Sequence, residues 1–488
     1  MKRISLVSII FALICPFFLF SCKNDEGQVN EYKMDLFYDD ESQVLSGSEE
    51  VLCINETGVS LDNICFHLYP NAFRQGSKAK VVSTDSYSDV YYNGESFGRI
   101  EILSVFGVDE KLNFNITGED ENILQVLLSK SLNPNESVML KIVFASYLPN
   151  INHRFGYGES TINFGNFYPI LCVYEDGFCE DLYHFNGDPF YSEIANYDVI
   201  LKFPSEYKMA SSGEVVLSEN YDNLTKNCIK CEKIRDFSFI LCKKFKKASK
   251  NIDNIIVNYY GYDEDENLDK CLQTCVEGLE TFNKLFGNYP YNEIDIAKSN
   301  FAYGGMEYSG FVIISDNILM QEDIDYVIVH EIGHQWWYGV VGNDEYNHAW
   351  MDEGLTEFSA FLFFKENESY GKDYDEMISN ANKSYKFFEK IYKNVTGSVD
   401  GKMDRALHEF NTQPEYVECT YTKGVLMFDS IMQSVGERKF IRALQDYYKK
   451  FYFKIAKPQD MIDSFSKSTG RELDGYMKSW INGKIIIQ

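Results

Sequence analysis

The chain is poor in positive charge. It carries 46 Lys and Arg against 74 Asp and Glu, for a net charge of −28, and the basic residues are scattered rather than gathered into a stripe. That balance repels a phosphate backbone and excludes nucleic acid as a partner. Proline is also scarce, with ten in 488 residues, and no stretch is of low complexity or repeats at a fixed period. Repeat and linker-dominated architectures are therefore excluded. Twelve cysteines are present; leaving out Cys15 and Cys22 of the N-terminal signal, the ten at 53, 65, 172, 179, 228, 231, 242, 271, 275 and 419 are even in number, which permits disulfides, but their scatter gives no framework. Cys228-x-x-Cys231 has neither a second CxxC nor a nearby histidine, so it reads as incidental cysteines in a hairpin rather than a zinc or redox site.

What is present is an ordinary globular composition, 45% apolar and 16% aromatic, in a chain long enough for two or three domains. The aromatics read as core, and the acidic excess as a solvated face. The first 21 residues stand apart: Lys2 and Arg3, an apolar run from Ile4 to Phe20, then "LFSC" ending at Cys22. They resemble a bacterial lipoprotein signal. That resemblance implies a signal peptide over 1–21, a lipid on Cys22, a tether over 22–31, and an extracytoplasmic protein anchored to a bacterial membrane, at the cell surface or in the periplasm.

From 32 to 250 short β-branched and aromatic runs such as "VMLKIVF" and "YDVILKF" alternate with Asn, Asp, Gly and Ser, the pattern of an all-β domain. From 251 to 488 helical periodicity dominates, interrupted early by the strand-like runs "YNEIDIAKS" and "GFVIIS". Helices are expected over Glu264–Phe286, Asp323–Tyr338, Glu353–Lys365, Lys423–Ser434, Glu437–Phe451 and Gln459–Ser468.

The chemistry is concentrated in "YVIVHEIGHQWWYGVVG", residues 326–342. Residues four apart share a helix face, so His330 and His334 can turn ring nitrogens toward one ion at about 2.0–2.1 Å. A catalytic zinc takes three protein ligands and keeps one position open. Glu353, separated from His334 by eighteen residues and opening the next helix, is the candidate third ligand. Glu331, between the histidines, then faces the open side as a general base for hydrolysis. Glu357, one turn beyond Glu353, reads either as a partner to a histidine's second nitrogen or as a surface glutamate.

His330, Glu331, His334 and Glu353 in this spacing resemble the gluzincin peptidases. "GGMEY" at 304–308 is similar to the Gly-x-Met-Glu-Asn element of the aminopeptidase N family, which also contains leukotriene hydrolase. "FHLYPNAFR" and "NFYPIL" resemble the β-domain of its bacterial members. The resemblance implies a saddle-like N-terminal β domain before a thermolysin-like, mostly helical zinc peptidase domain, with one zinc per chain and peptides with a free N-terminus as substrates. It places amine binding on Glu307 and substrate contacts on Gly304, Gly305 and Met306, the glycines admitting peptide by β-augmentation. It also makes Tyr421, in "TYTKG", the stabiliser of the oxyanion. Tyr308 stands where the family has Asn, and Glu159 is the candidate for a second amine anchor from the β domain. Only 67 residues follow Tyr421, too few for the family's large C-terminal helical domain. A thermolysin-type endopeptidase and a surface peptide-binding protein remain as alternatives; oligomeric state is not legible.

Overall fold

The computed structural model describes residues 29–79, 81–485 and 487. The expected leader 1–21, Cys22 and tether residues 23–28 lie outside the described residues. Among the described residues, no helix is long and apolar enough to cross a membrane.

Alternation of side chains builds the first half. In strand Asn30–Asp39, Tyr32, Met34, Leu36 and Tyr38 are buried while Lys33, Asp35 and Phe37 face outward, the period of two expected of a sheet covered on one side. Strand Ala195–Pro204 repeats the pattern with Tyr197, Val199, Leu201 and Phe203 and lies parallel to the first, Tyr32 opposite Tyr197. These two strands sit inside an eight-stranded sheet, and two four-stranded sheets complete the β-rich half.

The second half opens with a five-stranded sheet in the order Phe245–Ile252, Ile255–Tyr262, Glu293–Ser299, Phe311–Ser315, Gly305–Met306. Its strand Phe311–Ser315 is buried throughout, yet it still alternates. Phe311 and Ile313 join the core of the β-rich half, whereas Val312 and Ile314 join the core formed with the helices. The sheet is thus sandwiched between the two halves, and its edge strand, Gly305–Met306, comes to lie at their seam. Helices Leu268–Phe286, Gln321–Gly333, Glu353–Glu366 and Lys423–Val435 follow, so the expected order of a β-rich half before a mostly helical one is the order observed.

One helix differs in a way that matters. The sequence predicts helix to Tyr338, but the helix ends at Gly333. The Gly339 N–H donates back to the His334 carbonyl at 2.9 Å, and Tyr338 takes a φ of 144°. The turn buries two adjacent rings: Trp336 packs edge-on to Phe282, and Trp337 tilts onto Phe286. Both rings join the core formed with the helices.

Candidate active site

Helix Gln321–Gly333 presents His330 and Glu331 with His334 as its C-cap, and helix Glu353–Glu366 presents Glu353 from its first turn. Their approach depends on glycine. A Cβ on Gly333 would crowd Thr356 of the second helix, and Gly354 and Gly424 lie so close that a Cβ on either would strike the other's backbone. The second contact brings the π-helical turn Glu418–Thr422, and with it Tyr421, against Glu353.

Three donor atoms converge. His330 Nε2 and His334 Nε2 lie 3.2 Å apart, and Glu353 Oε2 lies 3.3 Å from the first and 3.2 Å from the second. A tetrahedral ion with bonds of about 2.0–2.1 Å holds its ligands about 3.3–3.4 Å apart, so these atoms form one face of such a tetrahedron. The opposite ring nitrogens fix the tautomers. His330 Nδ1 lies 2.8 Å from Glu357 Oε2, and His334 Nδ1 lies 3.1 Å from the Trp337 carbonyl oxygen. With Nδ1 protonated on each ring, both Nε2 lone pairs point inward. Two imidazoles, one carboxylate and outer partners make the donor set of a catalytic zinc, and the residues fit the ion. Burial disfavours the Glu353 charge, but His334 and His330 more than compensate and hold its carboxyl well below the usual range.

A cavity of about 410 Å³ opens beside this cluster, lined in part by Gly304, Gly305, Glu307, Glu331 and Tyr421. Glu331 is buried, and that burial pushes its carboxyl up to about 7. A Cβ on Gly305 would overlap the Glu331 side chain, whereas one on Gly304 would meet only ordinary contacts with Val327; of the two glycines, the second is the one the site demands. Tyr421 donates its hydroxyl to Glu353 Oε1 and stacks over His330 at 5.8 Å between ring centres.

Two expected substrate positions, Met306 and Glu159, fall elsewhere, as does Tyr308. Met306 is packed in the core of the β-rich half and does not line the cavity. Tyr308 is fully buried, its hydroxyl donating to Asn166 Oδ1 at 3.1 Å, so the larger ring ties the two halves together. Glu159 is exposed on the turn between strands Phe155–Tyr157 and Thr161–Phe164, away from the cavity. The carboxylate that the β-rich half brings to Glu307 is Asp188. It lines the cavity, is ion-paired to the buried Arg154, and has an oxygen within 4.8 Å of ones on Glu307 and Glu353. Sequence alone gave little notice of it: Gly187-Asp188-Pro189 reads as a turn, and only contact across the chain, where a Cβ on Gly187 would strike the Tyr416 hydroxyl, presses that turn against the site.

Residues 271–480 match the family described as "Peptidase family M1 domain". Peptidase family M1 is thus the family this half of the chain resembles. Among curated M1 relatives, human endoplasmic reticulum aminopeptidase 2 is 26% identical over 245 residues, 47% of this chain and 25% of that protein. Leucyl aminopeptidase of Saccharolobus solfataricus is 25% identical over 222 residues, 43% of this chain and 28% of that protein. The matched region thus spans about a quarter of the length of these relatives. Among solved structures, the M1 zinc metallopeptidase of Deinococcus radiodurans superposes with a TM-score of 0.66 at 16% identity, covering 94% of each chain. The two-half architecture is therefore shared with that protein's fold over nearly the whole described length.

Proposed function

We propose that the protein is a zinc-dependent aminopeptidase that removes residues from the free N-terminus of peptides. One observation carries this reading: Glu307 and Asp188, from opposite halves of the chain, bring carboxylate oxygens together within 4.8 Å of a Glu353 oxygen. Two anionic groups close to the metal cluster favour an ammonium there and so fix which bond is cut. Similarity supports it, since the relatives are named aminopeptidases and the Deinococcus radiodurans protein has been seen with a Tyr-Ser-Ala substrate.

A zinc ion held by His330, His334 and Glu353 supplies Lewis acidity at neutral pH. The chain's own groups do the rest. Glu307 and Asp188 hold the α-ammonium, and the edge strand at Gly304–Gly305 offers backbone groups to the extended peptide. Glu331 takes a proton from the attacking water and returns it to the leaving nitrogen. Tyr421 donates its hydroxyl to the oxygen on which negative charge develops.

Aminoacyl reporters with free and with acetylated amines test this directly. Cleavage of the free form alone, abolished by a chelator, is expected; equal cleavage of both would favour the thermolysin-type endopeptidase, and cleavage of neither the peptide-binding reading. We also propose that Cys22 carries a lipid and holds the enzyme outside the cytoplasm on a bacterial membrane, which the leader's charged start, apolar run and terminal cysteine support. Fatty-acid labelling that persists in Cys22→Ala would sink that anchor.

A further inference from the structure

A second acidic cluster lies next to Glu307, outside the cavity. Oxygens of Glu307, Glu345 and Asp352 all fall within 4.8 Å of one another. Their residues are 3%, 1% and 1% exposed. Glu345 opens the short helix Glu345–His348, and Asp352 precedes helix Glu353–Glu366. Of the three, only Glu307 lines the cavity, so substrate does not reach the other two.

The hydrogen bonding here is incomplete. Asp352 accepts from Asn343 Nδ2 at 2.7 Å, but both Glu345 oxygens and Oε1 of Glu307 are buried with no hydrogen-bond partner. The charges bearing most strongly on Glu345 are Asp352, Glu307, Asp188 and Glu353, all carboxylates. His334 bears on Asp352, but its nitrogens are engaged by the Trp337 carbonyl and the metal cluster. Carboxylates buried together without partners either hold protons or take up a cation.

We propose that Glu307, Glu345 and Asp352 bind a hard cation, calcium, distinct from the zinc. The donors are all carboxylate oxygens, the set preferred by a hard ion and poorly suited to discriminating for zinc. Calcium–oxygen bonds of about 2.3–2.6 Å allow two ligands on one ion to be at most about 4.6–5.2 Å apart, and the three oxygens satisfy that bound. Glu307 belongs to both sites. A cation on its buried side offsets the repulsion from Glu345 and Asp352 and keeps it a carboxylate able to hold an ammonium. That consequence rests on the aminopeptidase reading; binding of the ion does not.

Zinc-loaded protein in calcium-free buffer should be titrated with terbium, with emission excited through tyrosine, since Tyr338 lies within the field of Glu345. One saturable site per chain, displaced by calcium, is expected. Glu345→Gln, with zinc content and circular dichroism unchanged, should weaken calcium binding by about a hundredfold or more, while Glu331→Gln should retain it. The proposal is overturned if the native protein shows no saturable site, if calcium does not displace terbium, or if Glu345→Gln binds as well as the native chain. Should Glu345→Gln not fold, Asp352→Asn and the native titration decide. Failure of the aminoacyl reporters would leave this titration unaffected, so the two readings fail separately.

Discussion

The two poles of the cavity are both built from buried acids, yet they are wired in opposite ways. At the metal pole each of the three ligands has an outer partner, Glu357 for His330, the Trp337 carbonyl for His334 and the Tyr421 hydroxyl for Glu353, while the base beside them, Glu331, keeps a buried Oε2 with no hydrogen bond. At the amine pole Glu307 and Glu345 hold buried oxygens with no hydrogen bond, and burial, reinforced by Asp188, Glu331 and Glu353, raises the Glu307 carboxyl well above its usual range. On the proposed reading, the metal ligands are oriented in advance by the protein, whereas the amine pole takes its positive charge from outside. Orientation in advance suits groups that must act on a transition state. Unmet charge suits groups that must recognise a cation and release it again.

That contrast can be broken at the metal pole first. Glu331→Gln should lower kcat on the order of a thousandfold or more while zinc content stays at one per chain, measured by elemental analysis beside turnover. Substantial residual activity would remove Glu331 as the base. Tyr421→Phe should lower kcat about a hundredfold to a thousandfold with little change in KM. A change confined to KM would make the phenol a binding group.

The amine pole should respond less and differently. Glu307→Gln should cost about tenfold to a hundredfold in kcat/KM toward free-amine reporters, the worth of one hydrogen bond to a charged group, and should narrow the preference over acetylated reporters. An unchanged preference would shift amine recognition to Asp188 alone. Glu357→Gln sharpens the comparison from the other side. Zinc affinity should fall about tenfold to a hundredfold, while kcat at saturating zinc stays near that of the native enzyme. A collapse of kcat with zinc bound would make Glu357 more than an orienting partner.

How much of this was legible depended on spacing. His330, Glu331 and His334 are separated by less than one turn or by about one turn, so helix geometry alone places them together, and Glu353 opens helix Glu353–Glu366 after a connection that includes the short helix Glu345–His348. The strand character of "GFVIIS" and the helix Glu353–Glu366 followed equally from local pattern. The premature end of the first helix at Gly333 did not: it comes with the burial of Trp336 and Trp337 against Phe282 and Phe286, some fifty residues away. The proposed second amine anchor, Asp188, was not legible for a similar reason. Glu159 and Asp188 both sit beside glycine in loops of the β-rich half, and the ion pair that turns Asp188 toward the cavity, made with Arg154, has no signature in local sequence.

The sequence by itself determined the metal chemistry, because ligands one helical turn apart are brought together by the backbone's own repeat. It determined too the order of a β-rich half before a helical one, since periods of two and of 3.6 are local properties. The tertiary structure decided which carboxylates face the metal cluster from the far wall, which of two adjacent glycines is indispensable, and that Tyr308 and Met306 point away from the cavity. Those outcomes depend on contacts between residues distant in the chain, where close packing selects one arrangement among many that the local pattern allows.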